Sequence, residues 1–225
     1  MLPLRIAFDL DGTLADLHSA YSEIYHRLRG KQEEGEESPS PESRETEQRR
    51  FVSHTDTDRR HRVWREIEAT PDFWVSLKPL EDGVLHRLHR LSEEHRWEVF
   101  FITQRPATAG KTVQAQTHRW LVNHGYPTPN VIPLSGGRGK AASALKLDYL
   151  IDDTPQNCVD VLSDSATRAI LLVRDGDPTT ESSARRLGIG TAQSIAEVLD
   201  LLVQATDARA NPSLFEKLRK IVGWK

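Results

Sequence analysis

The 225-residue sequence has little cysteine, no long apolar run and no large excess of either charge. Its single cysteine, Cys158, excludes an internal disulfide and a zinc site built on several thiolates, and this favours a reducing compartment. No apolar stretch approaches the ~18 residues that cross a bilayer, and the first residues do not resemble a secretory leader. The formal charge of −3 argues against coating nucleic acid or anionic lipid. We therefore expect a cytoplasmic protein with neither a membrane partner nor a stable nucleic-acid partner.

Apolar side chains are missing altogether from residues 31–50, which contain no aliphatic, aromatic or cysteine residue. Such a stretch cannot bury enough apolar surface to offset its ordering entropy, so we predict a mobile acidic loop. Apolar residues at helical spacing flank it in residues 17–28 and 63–74, which predicts a small helical cap. The predicted organisation is a core of residues 1–13 and 76–205, a cap of residues 14–75, and an amphipathic C-terminal helix of residues 206–225. That helix either docks on the core or serves a membrane surface or a partner.

Short apolar runs alternate with longer helix-period segments over the rest of the chain. This alternation predicts an α/β fold, a doubly wound Rossmann-like parallel sheet covered by helices, with the helical cap inserted after the first strand. The predicted strands are Leu4 to Phe8, Val99 to Ile102, Val131 to Leu134, Leu147 to Ile151 and Ala169 to Val173.

Polar residues follow the first, second and fourth predicted strands. They are Asp9 and Asp11, then Thr103, Gln104 and Arg105, then Asp152 and Asp153. Because ligands bind beyond the carboxyl ends of parallel strands, we expect these residues to meet in one site. Four carboxylates there repel one another unless a cation lies among them, and Mg²⁺ suits an all-oxygen site. We therefore predict a magnesium site formed by Asp9, Asp11, Asp152 and Asp153.

Asp9 and Asp11 stand one residue apart, so both can face the ligand while Leu10 turns away. In this arrangement Asp9 can attack phosphorus and form an aspartyl-phosphate. Asp11 can protonate the leaving oxygen and later deprotonate the hydrolytic water. The same pattern taken alone also fits an ordinary turn or a calcium-like loop.

Ordered motifs of this chain resemble those of the haloacid dehalogenase superfamily of phosphotransferases. Residues 8–14 (FDLDGTL) match the first motif, residues 100–103 (FFIT) the second, residues 136–140 (GGRGK) the third and residues 150–153 (LIDD) the fourth. The resemblance implies a phosphatase with a doubly wound core.

The resemblance also implies roles for single residues. The Thr103 hydroxyl binds the transferring phosphoryl group, and a lysine stabilises its negative charge. We assign that lysine to Lys140 rather than Lys146, which precedes the fourth strand at the far end from the carboxylates. Asp153 is then the direct magnesium ligand and Asp152 its neighbour.

The cap resembles that of the 5′-deoxyribonucleotidases within the superfamily, through residues 14–17 (LADL) and 71–80 (PDFWVSLKPL). This implies a nucleoside monophosphate as substrate, with Phe73 and Trp74 against its base. Gln104 and Arg105 are further candidates for substrate binding, and Arg105 could instead be solvated. The aromatic pair could equally form the cap's own core.

Other functions remain open at this point. They are a phosphatase for a sugar phosphate or a nucleic-acid end, and a non-catalytic binding protein that retains the fold.

Overall fold

A six-stranded parallel sheet forms the centre of the protein. The computed structural model describes residues 3–33 and 47–210, and side chains within 3–29 and 57–209. The strand order is β3-β2-β1-β4-β5-β6. The strands are β1 (Arg5–Asp9), β2 (Glu98–Thr103), β3 (Asn130–Pro133), β4 (Tyr149–Asp152), β5 (Arg168–Leu172) and β6 (Gly190–Ala192). The fold class predicted from the sequence is confirmed.

Helices cover both faces of the sheet. They are α1 (Leu17–Glu33), α2 (Glu47–Ala69), a short 3-10 helix (Phe73–Val75), α3 (Val84–His95), α4 (Val113–Asn123), α5 (Arg138–Ala144), α6 (Pro155–Asp164), α7 (Pro178–Leu187) and α8 (Ile195–Ala210). Side chains alternate between the two faces of a strand, so Ile6 and Phe8 enter one apolar cluster while Ala7 enters the other. Cys158 is buried in the second cluster, as expected of a small apolar side chain.

Five strands lie within two residues of their predicted positions, while β6 was not predicted. Its three residues are too few to carry a recognisable strand pattern. Val63, Ile67 and Trp74, from the segment predicted to form a cap, belong to the same buried cluster as Phe8 on the sheet's first face.

Two predicted segments lie largely outside the described residues. Of the acidic loop 31–50, residues 31–33 end α1 and residues 47–50 begin α2, and the rest is not described. Residues 206–210 continue α8, whereas residues 211–225 of the predicted C-terminal helix are not described. The domain boundaries therefore stay predictions.

Candidate active site at the carboxyl ends of β1, β2 and β4

The parallel register brings the predicted site residues to one edge of the sheet. β1 pairs with β2 on one side and with β4 on the other, with Asp9 opposite Ile102 and Phe8 opposite Ile151. Asp9 and Asp152 therefore end neighbouring strands at the same level, and Thr103 ends β2 beside them. Ligands bind at this edge in open parallel sheets.

Three of the four predicted carboxylates form a tight cluster. One oxygen each from Asp9, Asp152 and Asp153 lies within 4.8 Å of the others. Burial, followed by the charge of Asp152, raises the pKa of Asp9 well above its usual value. The same two causes raise the pKa of Asp153 to about 6. Burial and mutual repulsion therefore both disfavour the ionised forms of Asp9 and Asp153.

Gly12 allows Asp153 to approach the backbone that follows β1. The Gly12 φ is +80°, and a Cβ there would collide with Oδ2 of Asp153. The Thr13 hydroxyl lies 3.4 Å from Oδ1 of the same carboxylate. A glycine at this position is therefore a geometric requirement of the cluster.

A buried arginine, Arg138, is the cation that contacts the cluster. Its Nη2 donates to Oδ1 of Asp9, and its Nε donates to Oδ2 of Asp152 at 3.2 Å. Within the described part of the chain, its buried Nη1 has no hydrogen-bond partner. An unpartnered buried donor beside a carboxylate cluster is placed to bind an anionic oxygen.

The two lysines considered for binding the phosphoryl group are both exposed, and the role predicted for Lys140 stays a prediction. Lys140 is exposed on α5, and Lys146 is exposed at the opposite end of β4. Gly139 explains the arrangement, because its amide donates to Asp160 at 2.8 Å and a Cβ there would collide with the Asp160 carbonyl oxygen. This close approach of α5 to α6 turns Arg138, one residue earlier, into the site. Sequence reasoning missed Arg138, although its position between two glycines at a helix start was a usable signal.

Asp152 is held in place by its neighbours. Its Oδ1 accepts from the Thr154 amide at 2.9 Å, and the Asn157 side chain donates to both of its oxygens at 3.0 Å. With Arg138 on Oδ2 as well, both oxygens are engaged. Asp9 and Asp153 are therefore the carboxylates better placed to bind a cation.

Asp11 lies outside the three-carboxylate cluster and pairs with Arg105. The Arg105 Nε donates to Oδ2 at 2.9 Å and its Nη2 donates to Oδ1 at 2.7 Å. Arg105 was predicted to bind substrate, but its side chain is fully buried and lies behind Asp11. Asp11 therefore has its own cationic partner, while its charge is still near enough to contribute to the raised pKa of Asp9 and of Asp153.

The remaining predicted residues differ in their accessibility. Gln104 is exposed, and its side chain donates to the Gly136 carbonyl at 2.9 Å. Trp74 is fully buried with its indole Nε1 bonded to the Pro106 carbonyl at 3.0 Å, so it cannot stack on a base in this conformation. Phe73 is also buried, but it lines a cavity of about 430 Å³ beneath α1.

A second cavity adjoins the cluster itself. It measures about 610 Å³ and is lined by residues that include Gly12, Asp153, His18 and Arg174. This volume lies within the range of small-molecule sites. Of the three clustered carboxylates, Asp153 is the one among the described residues that lines it.

The donor set suits a hard divalent cation. It consists of carboxylate oxygens alone, and a cation would offset the burial and the charge repulsion that together raise the pKa of Asp9 and Asp153. The buried Asp9 carboxylate, the Thr103 hydroxyl and the buried Arg138 guanidinium form an arrangement that can support phosphoryl transfer.

Comparisons with solved structures show the fold. A haloacid dehalogenase-like hydrolase from Xanthomonas campestris is 14% identical with a TM-score of 0.53, covering 94% of this chain and 94% of that one. A phosphonoacetaldehyde hydrolase-like protein from Oleispira antarctica is 14% identical, TM-score 0.52, covering 92% and 93%. A haloacid dehalogenase-like hydrolase from Streptococcus pneumoniae is 13% identical, TM-score 0.51, covering 89% and 98%.

Sequence comparisons identify the family. The comparison with curated proteins found no match. No helix in the described ranges is long and apolar enough to cross a membrane. Residues 3–208 match the family described as 5′ nucleotidase, deoxy (pyrimidine), cytosolic type C protein. The chain therefore belongs to this family, which is a family of phosphatases.

Proposed function

We propose that this phosphatase hydrolyses a nucleoside monophosphate through an aspartyl-phosphate on Asp9, with Mg²⁺ as its cofactor. The observation that carries the proposal is the buried Asp9 carboxylate at the end of β1, contacted by Arg138 and flanked by Thr103. The nucleoside part rests on the family that residues 3–208 match.

The proposed reaction has two steps, in which Asp9 acts as nucleophile. First, an Asp9 oxygen bonds to phosphorus while the bond to the leaving oxygen breaks, and Asp11 gives that oxygen a proton. Water then attacks the aspartyl-phosphate, Asp11 accepts its proton, and phosphate leaves with Asp9 restored. These roles require both carboxylates beside the phosphorus, one ionised for attack and one able to exchange a proton.

Arg138 and Thr103 are the proposed phosphate-binding groups. The unpartnered Nη1 of Arg138 can donate to a phosphate oxygen while Nη2 keeps Asp9 in place. Thr103 lies at the end of β2, where its hydroxyl accepts from the Arg105 amide at 3.2 Å and keeps its own hydrogen for the phosphate. This role for Arg138 replaces the one predicted for Lys140.

Mg²⁺ would be held by Asp9 and Asp153. It would supply positive charge that reduces repulsion between the phosphate and the carboxylates. Asp152, engaged by Arg138 and Asn157, positions the neighbouring groups. The cytoplasmic location expected from the composition stays a prediction.

The proposed leaving-group site is the cavity of about 610 Å³ next to Asp153. Asp153 lines this cavity and also belongs to the cluster that contains Asp9, which supports a nucleoside in the cavity with its phosphate directed towards Asp9. The base contact expected of Trp74 is not part of this proposal, because that ring is buried.

A phosphate-release screen tests the function. Purified protein is assayed with Mg²⁺ or with EDTA on ribo- and deoxyribonucleoside monophosphates, sugar phosphates and a phosphorylated oligonucleotide. We expect Mg²⁺-dependent release that is fastest from a nucleoside monophosphate, and none from Asp9→Asn. Asp164→Asn, an exposed position on α6, is the matched control and should retain full activity.

The outcomes separate the parts of the proposal. No release from any compound would overturn it entirely. Faster release from a sugar phosphate or the oligonucleotide would overturn the substrate, and activity in Asp9→Asn would overturn the aspartyl-phosphate. Acid quenching with labelled substrate should trap label on the wild-type protein and none on Asp9→Asn.

A further inference from the structure

A single guanidinium, that of Arg105, connects Asp11 to two other elements of the fold. Besides its contacts to the Asp11 carboxylate, its Nη1 donates to the Thr117 hydroxyl on α4 at 3.0 Å. Its Cζ lies 4.8 Å from the centroid of the Trp74 ring. All three nitrogens of the group are therefore engaged, and one face of it lies against an aromatic ring.

Arg105 and Asp11 differ in how far their side chains are exposed to solvent. The Arg105 side chain is 0% exposed, whereas that of Asp11 is 19% exposed. Arg105 thus lies behind Asp11, seen from solvent, and it does not reach a ligand that enters the site. Its Nε donates to both carboxylate oxygens, at 3.1 Å and 2.9 Å, and Nη2 donates to Oδ1. Two-point contact of this kind fixes the plane of the carboxylate as well as its position.

The surroundings of Arg105 are themselves fixed by hydrogen bonds. The Trp74 amide donates to Oε1 of Gln116 on α4 at 3.1 Å, and its indole donates to the Pro106 carbonyl. The Gln116 side-chain amide in turn donates to the Lys111 carbonyl at 2.6 Å. The loop after β2, the 3-10 helix and α4 therefore hold the guanidinium from three sides.

We propose that Arg105 is a positioning residue, which holds the Asp11 carboxylate in the orientation that proton transfer to the leaving oxygen requires. The inference rests on the proposed function and goes beyond it by assigning a role to a residue that does not touch substrate. A proton moves efficiently only between groups held at hydrogen-bond distance, and an untethered aspartate can rotate away from that position. Lysine cannot replace arginine here, because its ammonium is a point charge without the planar fork.

The test compares two kinds of leaving group in Arg105→Lys. An alkyl phosphate such as a nucleoside monophosphate needs a proton on its leaving oxygen, whereas p-nitrophenolate leaves without one. The ratio kcat/KM reports only steps up to departure of the leaving group. We expect kcat/KM to fall about 10- to 100-fold for the alkyl phosphate, in the range of general acid catalysis, and less than about threefold for p-nitrophenyl phosphate.

A double variant determines whether the effect passes through Asp11. Asp11→Asn should likewise lower kcat/KM much more for the alkyl phosphate than for p-nitrophenyl phosphate. Adding Arg105→Lys to Asp11→Asn should then lower kcat/KM little further. Thr117→Val is the matched control, because it removes a partner of Arg105 but leaves the contacts with Asp11. It should change both substrates equally and little.

Equal losses on both substrates in a folded Arg105→Lys variant, or full additivity with Asp11→Asn, would overturn the inference. Thermal unfolding verifies that each variant is folded. If Arg105→Lys does not fold, Arg105→Gln gives the same comparison, because it also lacks the fork. A wild type inactive on every phosphate ester overturns the proposed function, whereas an active wild type with unselective variants overturns only the role of Arg105.

Discussion

Substitution of Arg138 by methionine tests the charge balance of the site most directly. Methionine keeps an unbranched side chain but removes the buried guanidinium that contacts Asp9 and Asp152. Removing one partner of a buried ion pair costs about 3–5 kcal/mol. For a chain of this size each kcal/mol corresponds to about 2–4 °C in Tm, so we expect Tm to fall by about 6–20 °C in EDTA.

The same change should reduce turnover. Arg138 is the buried donor proposed to face the phosphate, and removing one such group from a water-excluded site typically costs about 10²- to 10³-fold in kcat. Arg138→Lys keeps one positive charge but cannot contact Asp9, Asp152 and a phosphate oxygen together. Its kcat should therefore lie between those of the wild type and Arg138→Met.

Lys140→Met is the matched control, two residues further along the same helix and exposed. Initial rates are measured at saturating Mg²⁺ and substrate, and Tm is measured in EDTA. Both kcat and Tm should fall in Arg138→Met and stay close to the wild-type values in Lys140→Met. The reasoning would be refuted if Lys140→Met lost as much activity as Arg138→Met. It would also be refuted if the changes in Tm and kcat between the wild type and Arg138→Met were less than about half of those expected here.

Three further substitutions test the surroundings of the site and the fold. The pKa of Asp153 is about 6 in the folded protein and near 3.8 in the unfolded chain, so ionisation of this carboxyl disfavours the folded state. Asp153→Asn should therefore raise Tm in EDTA above about pH 6, and this gain in Tm should fade towards pH 4. A Tm gain that grows on acidification would contradict this. Gly12→Ala should weaken Mg²⁺ binding at least about tenfold in a calorimetric titration, whereas Gly83→Ala, which shares a positive φ but meets no atom within 4 Å, should not. Equal Mg²⁺ affinity in both variants would exclude the collision with Asp153. Hydrogen bonds from Thr180 and Thr179 lower the pKa of Asp177 at the start of α7, so Asp177→Ala should lower Tm at neutral pH and have less effect once acid protonates the carboxyl. A deficit in Tm that does not change with pH would count against that role.

Much of the site followed from local sequence. A parallel sheet places the residue after each strand at one edge, so recognising the apolar strands was enough to bring Asp9, Thr103 and Asp152 together. The strands were recognisable because both of their faces are buried, which makes them continuous apolar runs. The short strand β6 lacked such a run and was missed.

Which charged side chains pair with one another could not be predicted from local sequence. Lys140 and Arg138 are both cations in a glycine-rich helix start, and only the packing of α5 against α6 determines which of them is buried. Likewise, residues 73 and 74 read equally well as a base-binding pair or as core. The contacts of Trp74 with Pro106 and Arg105 place it in the core.

By itself, then, the sequence determined which strands are followed by polar residues and that Asp9 ends the first of these strands. Tertiary structure decided which cation meets Asp9, which carboxylate Arg105 holds and which aromatic rings are buried. The physical reason is range: strand and turn preferences depend on neighbours in sequence, whereas ion pairing and burial depend on side chains brought together from positions as distant as Asp9 and Arg138.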